Sequence, residues 1–173
     1  MAGESDKKGN IDDGVEIYTD LYNALQIGDW NNAKKFLNCH PHAISAKITA
    51  IDQTALHVAA KAGHVHIVEE LVKQMSEENL EIKDIYGCTA LAKATYKGNY
   101  RMAECMLGKN EKLISIRNND GNIPVGMALY NGRLKLARYL YLLTPPEILR
   151  PENGTIGATV ACQAIYNNAL GRN

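Results

Sequence analysis

The run Thr54-Ala55-Leu56-His57-Val58-Ala59-Ala60-Lys61-Ala62-Gly63-His64 has the anatomy of a short helix with both ends marked. Thr54 can offer its side-chain oxygen to the first free amides of the helix. Val58, Ala59, Ala60 and Ala62 are small enough to let a neighbouring helix come close. Gly63 closes the helix, since glycine takes a positive φ at little cost. A second helix follows, with Val65, Ile67, Val68, Leu71 and Val72 on one stripe and Glu69, Glu70 and Lys73 outside it. Outward from this unit the pattern returns in both directions. Interior alanines fall at Ala24, Ala59, Ala94, Ala128 and Ala164, spaced 35, 35, 34 and 36 residues apart, and Gly28, Gly63, Gly98 and Gly132 each come four residues later. Apolar sets recur with them, as Ala33, Phe36 and Leu37, then Met102, Ala103, Met106 and Leu107, then Leu134, Leu136, Ala137 and Leu140. One helix pair this small cannot bury its apolar surface alone, so three or more must stack. The expected fold is all-α, a solenoid of helix-turn-helix units. Between units lie turn-forming stretches, Asp84-Ile85-Tyr86-Gly87 and Asn118-Asn119-Asp120-Gly121.

The bulk composition narrows the field. A chain of 173 residues is long enough for one continuous core, and a hydrophobic fraction of 46% places it with folded proteins. Nineteen basic side chains balance nineteen acidic ones, so no overall charge draws the chain to nucleic acid or anionic lipid. No run approaches the roughly 18 apolar residues that span a bilayer, so no membrane insertion by this chain is expected. The N-terminus has no apolar segment of secretory type, and Ala2 breaks the myristoylation pattern. Cys39, Cys88, Cys105 and Cys162 show no paired spacing, which fits free thiols in a reducing compartment, and a cytoplasmic location is expected.

These residues resemble the ankyrin repeat, whose pattern runs Asp-x-x-Gly-x-Thr-Pro-Leu-His-x-Ala-Ala-x-x-Gly-His. The second copy keeps Thr54, Leu56, His57, Ala59, Ala60, Gly63 and His64, with Ala55 where the family prefers proline. The third keeps Asp84, Gly87, Thr89, Leu91, Ala94 and Gly98 but has Ala92 in the His place. The fourth keeps Gly121, Pro124, Ala128 and Gly132, and departs at Ile123, Val125 and Gly126. The first is looser, as suits an end repeat with one side in water. The organisation expected is a polar, disordered leader over 1–14, then four repeats at about 15–48, 49–83, 84–117 and 118–143. A proline-containing connection over 144–156 and an incomplete fifth repeat over 157–173 follow, which suggests a truncated product or a fragment. The layout is also similar to plant ankyrin-repeat membrane proteins with a C-terminal PGG domain. That resemblance implies a membrane-anchored parent at the cytosolic face of the plasma membrane, with this chain as its regulatory or assembly-directing segment.

Chemistry is thinly represented. His57 has no Asp, Glu, Ser or Cys repeating beside it, and the resemblance implies a structural role, bonding the neighbouring turn and Thr54. His64 and His66 lie two apart on a helix and do not share a face. His40-Pro41-His42 forms a turn of no more than adventitious metal affinity. No phosphate-binding glycine loop occurs, and Arg133, Lys135 and Arg138 alternate with apolar residues as on a solvated helix face. No enzyme activity and no cofactor or metal are expected.

One column of the repeat stands out instead. Two residues beyond each interior alanine lie Gln26, Lys61, Tyr96, Tyr130 and Tyr166. In an ankyrin stack that place looks onto the concave groove, where tyrosines supply rigid, amphipathic contact area. The turn tips offer a second surface, with Ala50, Ile51 and Gln53 in one repeat, Ile85, Tyr86 and Cys88 in the next, and Asn119, Asp120 and Asn122 in the fourth. The expected activity is recognition of a protein partner through groove and tips, with Ile51, Ile85, Tyr86, Tyr96, Asn119, Asp120, Tyr130 and Tyr166 as its contacts.

Overall fold

Thr54 has extended backbone, φ −84° and ψ 171°, and closes a capping box with His57 in which each side chain serves the other's backbone. The helix it starts, Ala55–Ala62, ends at Gly63, whose φ of 99° lets its N–H turn back onto the Ala59 carbonyl at 3.0 Å. This unit repeats along the computed structural model, which describes residues 17–150 and Val160. The leader over 1–14, the part of the connection after Arg150, and the fifth repeat with Tyr166 lie outside the described residues, Val160 excepted.

In chain order the helices are α1 (Thr19–Ile27), α2 (Trp30–Cys39), α3 (Ala55–Ala62), α4 (Val65–Gln74) and the single turn α5 (Glu77–Leu80). Then come α6 (Ala90–Lys97), α7 (Tyr100–Lys109), α8 (Pro124–Tyr130), α9 (Leu134–Leu143) and the short α10 (Pro146–Leu149). Two 3-10 turns, Pro41–Ile44 and Glu111–Ser115, follow α2 and α7, and there is no strand among the described residues. The inner helices α1, α3, α6 and α8 stack on one another in that order, and each packs against its own outer helix α2, α4, α7 or α9.

The spine is made of small side chains. Ala59, Ala94 and Ala128 have no exposed surface and Ala24 almost none, so neighbouring inner helices meet nearly backbone to backbone. Larger residues, including Leu21, Leu25, Leu56, Leu71, Leu91, Met102, Met106 and Leu140, fill the space between inner and outer rows. They form one continuous apolar cluster that Val160 also joins. Its length follows from the repeat: each interior unit is covered on two sides by copies of itself.

Two details depart from the sequence expectation. Leu134 was assigned to the buried stripe but is exposed, because the stripe starts two residues into each outer helix; Val65 and Tyr100, its equivalents, are also incompletely covered. The inner helix of the fourth unit stops at Tyr130. Asn131 then caps the end one residue early, its backbone N–H and its Nδ2 both donating to the Met127 carbonyl, at 3.1 and 2.7 Å.

Candidate functional site

Helix geometry places the tyrosine column. Two residues beyond a buried alanine is a rotation of about 200°, so side chains there point away from the spine. Tyr96 and Tyr130 are accordingly 56% and 78% exposed, which leaves them no role in filling the inner stack. Both line a concave groove of about 1200 Å³ that runs across the inner helices from Gln26 to Arg133. Tyr86 and Asp120 stand on its turn-side lip. Its floor includes Cys88 and Met127, which cluster with Ala92 beneath them.

The lip is built by the turns. In the third unit Asp84 is buried, and its Oδ1 accepts from the amides of Tyr86 at 3.0 Å and Cys88 at 2.9 Å. Its Oδ2 is ion-paired with Lys93, whose ammonium lies 5.6 Å from the centre of the Tyr86 ring. Burial works to raise the Asp84 pKa, but Lys93 and the two turn amides outweigh it and hold the carboxyl below its ordinary value. The other turns keep the amide contact without the charge. Thr49 Oγ1 accepts from Gln53 N at 3.0 Å, and Asn118 Oδ1 from Asn122 N at 2.8 Å. At the position equivalent to Lys93 these units have Val58 and Met127. Among these three repeats a cation stands there only in the one whose amide-accepting turn residue is a carboxylate.

Adjacent turns are tied to each other. Ile85 N donates to the Ile51 carbonyl at 3.3 Å, and Asn119 N to the Tyr86 carbonyl at 3.0 Å. Asn119 Nδ2 adds a bond to the Ile85 carbonyl at 2.9 Å. Of the contacts expected from sequence, the groove therefore collects Ile51, Tyr86, Tyr96, Tyr130 and Asp120, while Ile85 and Asn119 lie outside its lining. Ile85 remains exposed, but Ile51 is half-buried and Gln53 and Cys88 are buried, contrary to the reading of all three as tip residues. The next turn bonds across Ile51, 34 residues away in sequence, a contact that a single turn sequence does not announce.

His57 is spent on structure. Nδ1 faces the Thr54 amide at 3.3 Å and the Thr54 hydroxyl at 2.8 Å, and Nε2 lies 2.9 Å from the Cys88 carbonyl. With the Thr54 amide donating to Nδ1, Nε2 carries the proton and donates across to the next turn. His64 Nε2 likewise reaches the Gln26 carbonyl at 2.9 Å. Arg133 performs the same service later, with Nε donating to the Tyr96 carbonyl at 3.0 Å. This corrects its reading as one more residue of a solvated helix face: Arg133 precedes α9 and lines the groove. Lys97 and Arg133 were missed as groove residues. Their signal was positional, since Lys97 follows the tyrosine column and Arg133 follows Gly132.

No group of three or more His, Cys, Asp or Glu side chains able to hold a metal occurs among the described residues, and none of their helices is long and apolar enough to cross a membrane. The family model for ankyrin repeats, in three copies, matches residues 21–116. Mouse ankyrin repeat and SAM domain-containing protein 6 is 26% identical over 102 residues, covering 59% of this chain and 11% of that protein. The mouse serine/threonine-protein kinase TNNI3K is 30% identical over 105 residues, 60% of this chain and 12% of the kinase. The chain thus spans about a tenth of the curated relatives it matches, and the likeness to the kinase is confined to its repeats. Among solved structures, a chain in the crystal structure of the yeast ribosomal protein Rps3 in complex with its chaperone Yar1 superposes with a TM-score of 0.66 at 24% identity. That match covers 72% of this chain and 91% of the other, and it supports the fold. Repeat pattern, stacked helix pairs and family match agree: this chain belongs to the ankyrin-repeat family of protein–protein interaction modules.

Proposed function

We propose that the chain binds a protein partner through the concave groove, with Tyr96 and Tyr130 as rigid anchors and Tyr86 and Asp120 at the lip. The observation that carries this reading is the exposure of Tyr96 and Tyr130 on one concave face. Exposed tyrosines without a packing duty are costly to solubility, whereas at an interface the ring buries area and the hydroxyl finds a partner. Ile51, Ile85 and Asn119 then act mainly by setting the turns in line, and Ile85 stays available as an outer contact. Tyr166 would continue the column into the next unit. The structural neighbour described above comes from a complex of a chaperone with a ribosomal protein, a use of the fold in keeping with this reading. The role of a membrane-anchored plant segment draws no support from the relatives found. A location in a reducing compartment such as the cytoplasm agrees with the scattered cysteines.

The test is a crosslinking pull-down with the native chain, Tyr96→Ala and Tyr130→Ala. Both side chains are exposed, so the variants should melt close to the native chain while recovery of the partner falls about tenfold. Equal recovery by folded variants would rule out the groove.

A further inference from the structure

The groove has a charge that the whole chain does not. Among its lining residues are Lys61, Lys93, Lys97 and Arg133 against one carboxylate, Asp120. Lys93 is neutralised by buried Asp84, but none of the ion pairs among the described residues engages Lys61, Lys97 or Arg133. The outer helices are mixed in charge, with Glu69, Glu70 and Glu104 set among a larger number of basic residues, and Glu77, Glu78 and Glu81 lie at α5. A chain of zero net charge thus presents a concave face on which cations outnumber carboxylates.

We infer that the occupant of this groove is an extended, acidic peptide segment of a partner protein, its carboxylates facing Lys61, Lys97 and Arg133 and an apolar side chain seated between the Tyr96 and Tyr130 rings. The inference rests on the groove reading above and names the chemistry that groove selects. Inner helices stack about 10 Å apart, so Lys61 and Lys97, on adjacent ones, lie about three residues apart along an extended chain. The groove crosses four such helices, about 30 Å, which suits a segment of about nine or ten residues. The apolar floor of Cys88 and Met127 favours a peptide over a nucleic acid strand, because a phosphate backbone presents charge at every nucleotide and needs a denser row of cations.

A randomised library of twelve-residue peptides displayed on phage, selected on the native chain, tests this. Enriched peptides should be strongly acidic. The best of them, made synthetically and labelled, should bind about tenfold more weakly to Lys61→Glu/Lys97→Glu, and more weakly still as salt screens the groove. Enrichment of neutral or basic peptides that nonetheless lose binding to Tyr96→Ala/Tyr130→Ala would overturn the acidic occupant and leave the groove standing. Peptides that bind the tyrosine variant as well as the native chain would overturn the groove and the occupant together, as would no enrichment over that variant. A twelve-nucleotide oligothymidylate that displaces the selected peptide and itself binds more tightly would replace the peptide with nucleic acid.

Discussion

Protonating His57 at Nδ1 would set an N–H against the Thr54 amide that now donates to it. Burial lowers the His57 pKa below its ordinary 6.5, and the Cys88 carbonyl offsets only part of that shift. The unfolded chain therefore takes up this proton more readily than the folded one. Stability is complete above the ordinary histidine pKa and falls as pH drops through about 6.5 toward the lowered folded value. Urea titrations between about pH 7.5 and 5.5 should show the native midpoint falling. His57→Ala should cost about 1–3 kcal/mol at the upper pH, through lost bonds and a small cavity, and should flatten the slope. An equally steep slope in the variant would place the proton elsewhere. The residue's role was legible through the resemblance to the ankyrin pattern, which implies a histidine here that bonds Thr54 and the neighbouring turn, the two partners it has. The Asp84–Lys93 pair was not read, although both partners lie within one unit. Its signal appears only when turns are compared, Thr49 with Val58, Asp84 with Lys93, Asn118 with Met127.

At the scale of elements, the turns govern how units register. Gly87 has a φ of 71°, and a Cβ there would come within 2.3 Å of Asn119 Oδ1 and 2.7 Å of Asn119 N in the following turn. Gly63 also has positive φ, yet its added Cβ would meet nothing within 4 Å. The pair separates two effects that glycine combines. Gly63→Ala should lose about 1 kcal/mol, the cost of an L-residue in left-handed backbone. Gly87→Ala should lose about 2–3 kcal/mol, because the collision also pushes away the Asn119 bonds to Tyr86 and Ile85. Thermal melts of the two variants check this, and equal losses would mean the turns are not coupled through Gly87. The same coupling explains which part of the site was legible. Helical positions such as Tyr96 and Tyr130 were placed correctly, since a helix fixes which way each side chain points. Turn positions were legible only in part: Ile85 and Tyr86 are exposed as their turn sequence suggests, but whether Ile51 or Gln53 is exposed depends on where the neighbouring turn lies, and no periodicity within one turn encodes that.

For the whole molecule, stability should be graded along the stack, because each unit is held by its neighbours and the neighbours differ. The junction of the second and third units is the best furnished. It has the His57–Cys88 bond, an Arg101–Glu69 ion pair, Asn110 bonded to the Glu77 carbonyl and Glu81, and direct packing of α4 on α7. At the next junction Ala92 stands in the His57 place, so that buried side-chain link is absent; the side-chain hydrogen bonds there, Lys83 to the Arg117 carbonyl, Asn119 to Ile85 and Arg133 to Tyr96, are exposed, beside a ring contact of Tyr100 with Tyr139. An exposed bond is worth less than a buried one, since water competes for its partners. The first unit has the His64–Gln26 bond and the Trp30–His66 edge contact, but its outer side lacks a preceding inner helix among the described residues. Local opening should therefore start at the two flanks and stop at the centre. Native-state hydrogen exchange should find the slowest amides between Ala55 and Leu107, with α1 and α8 opening at lower free energy. His57→Ala should then narrow the difference, since it removes the link that sets the centre apart. Uniform protection along the stack would mean the units unfold as one body, and the junctions named here would not be what divides them.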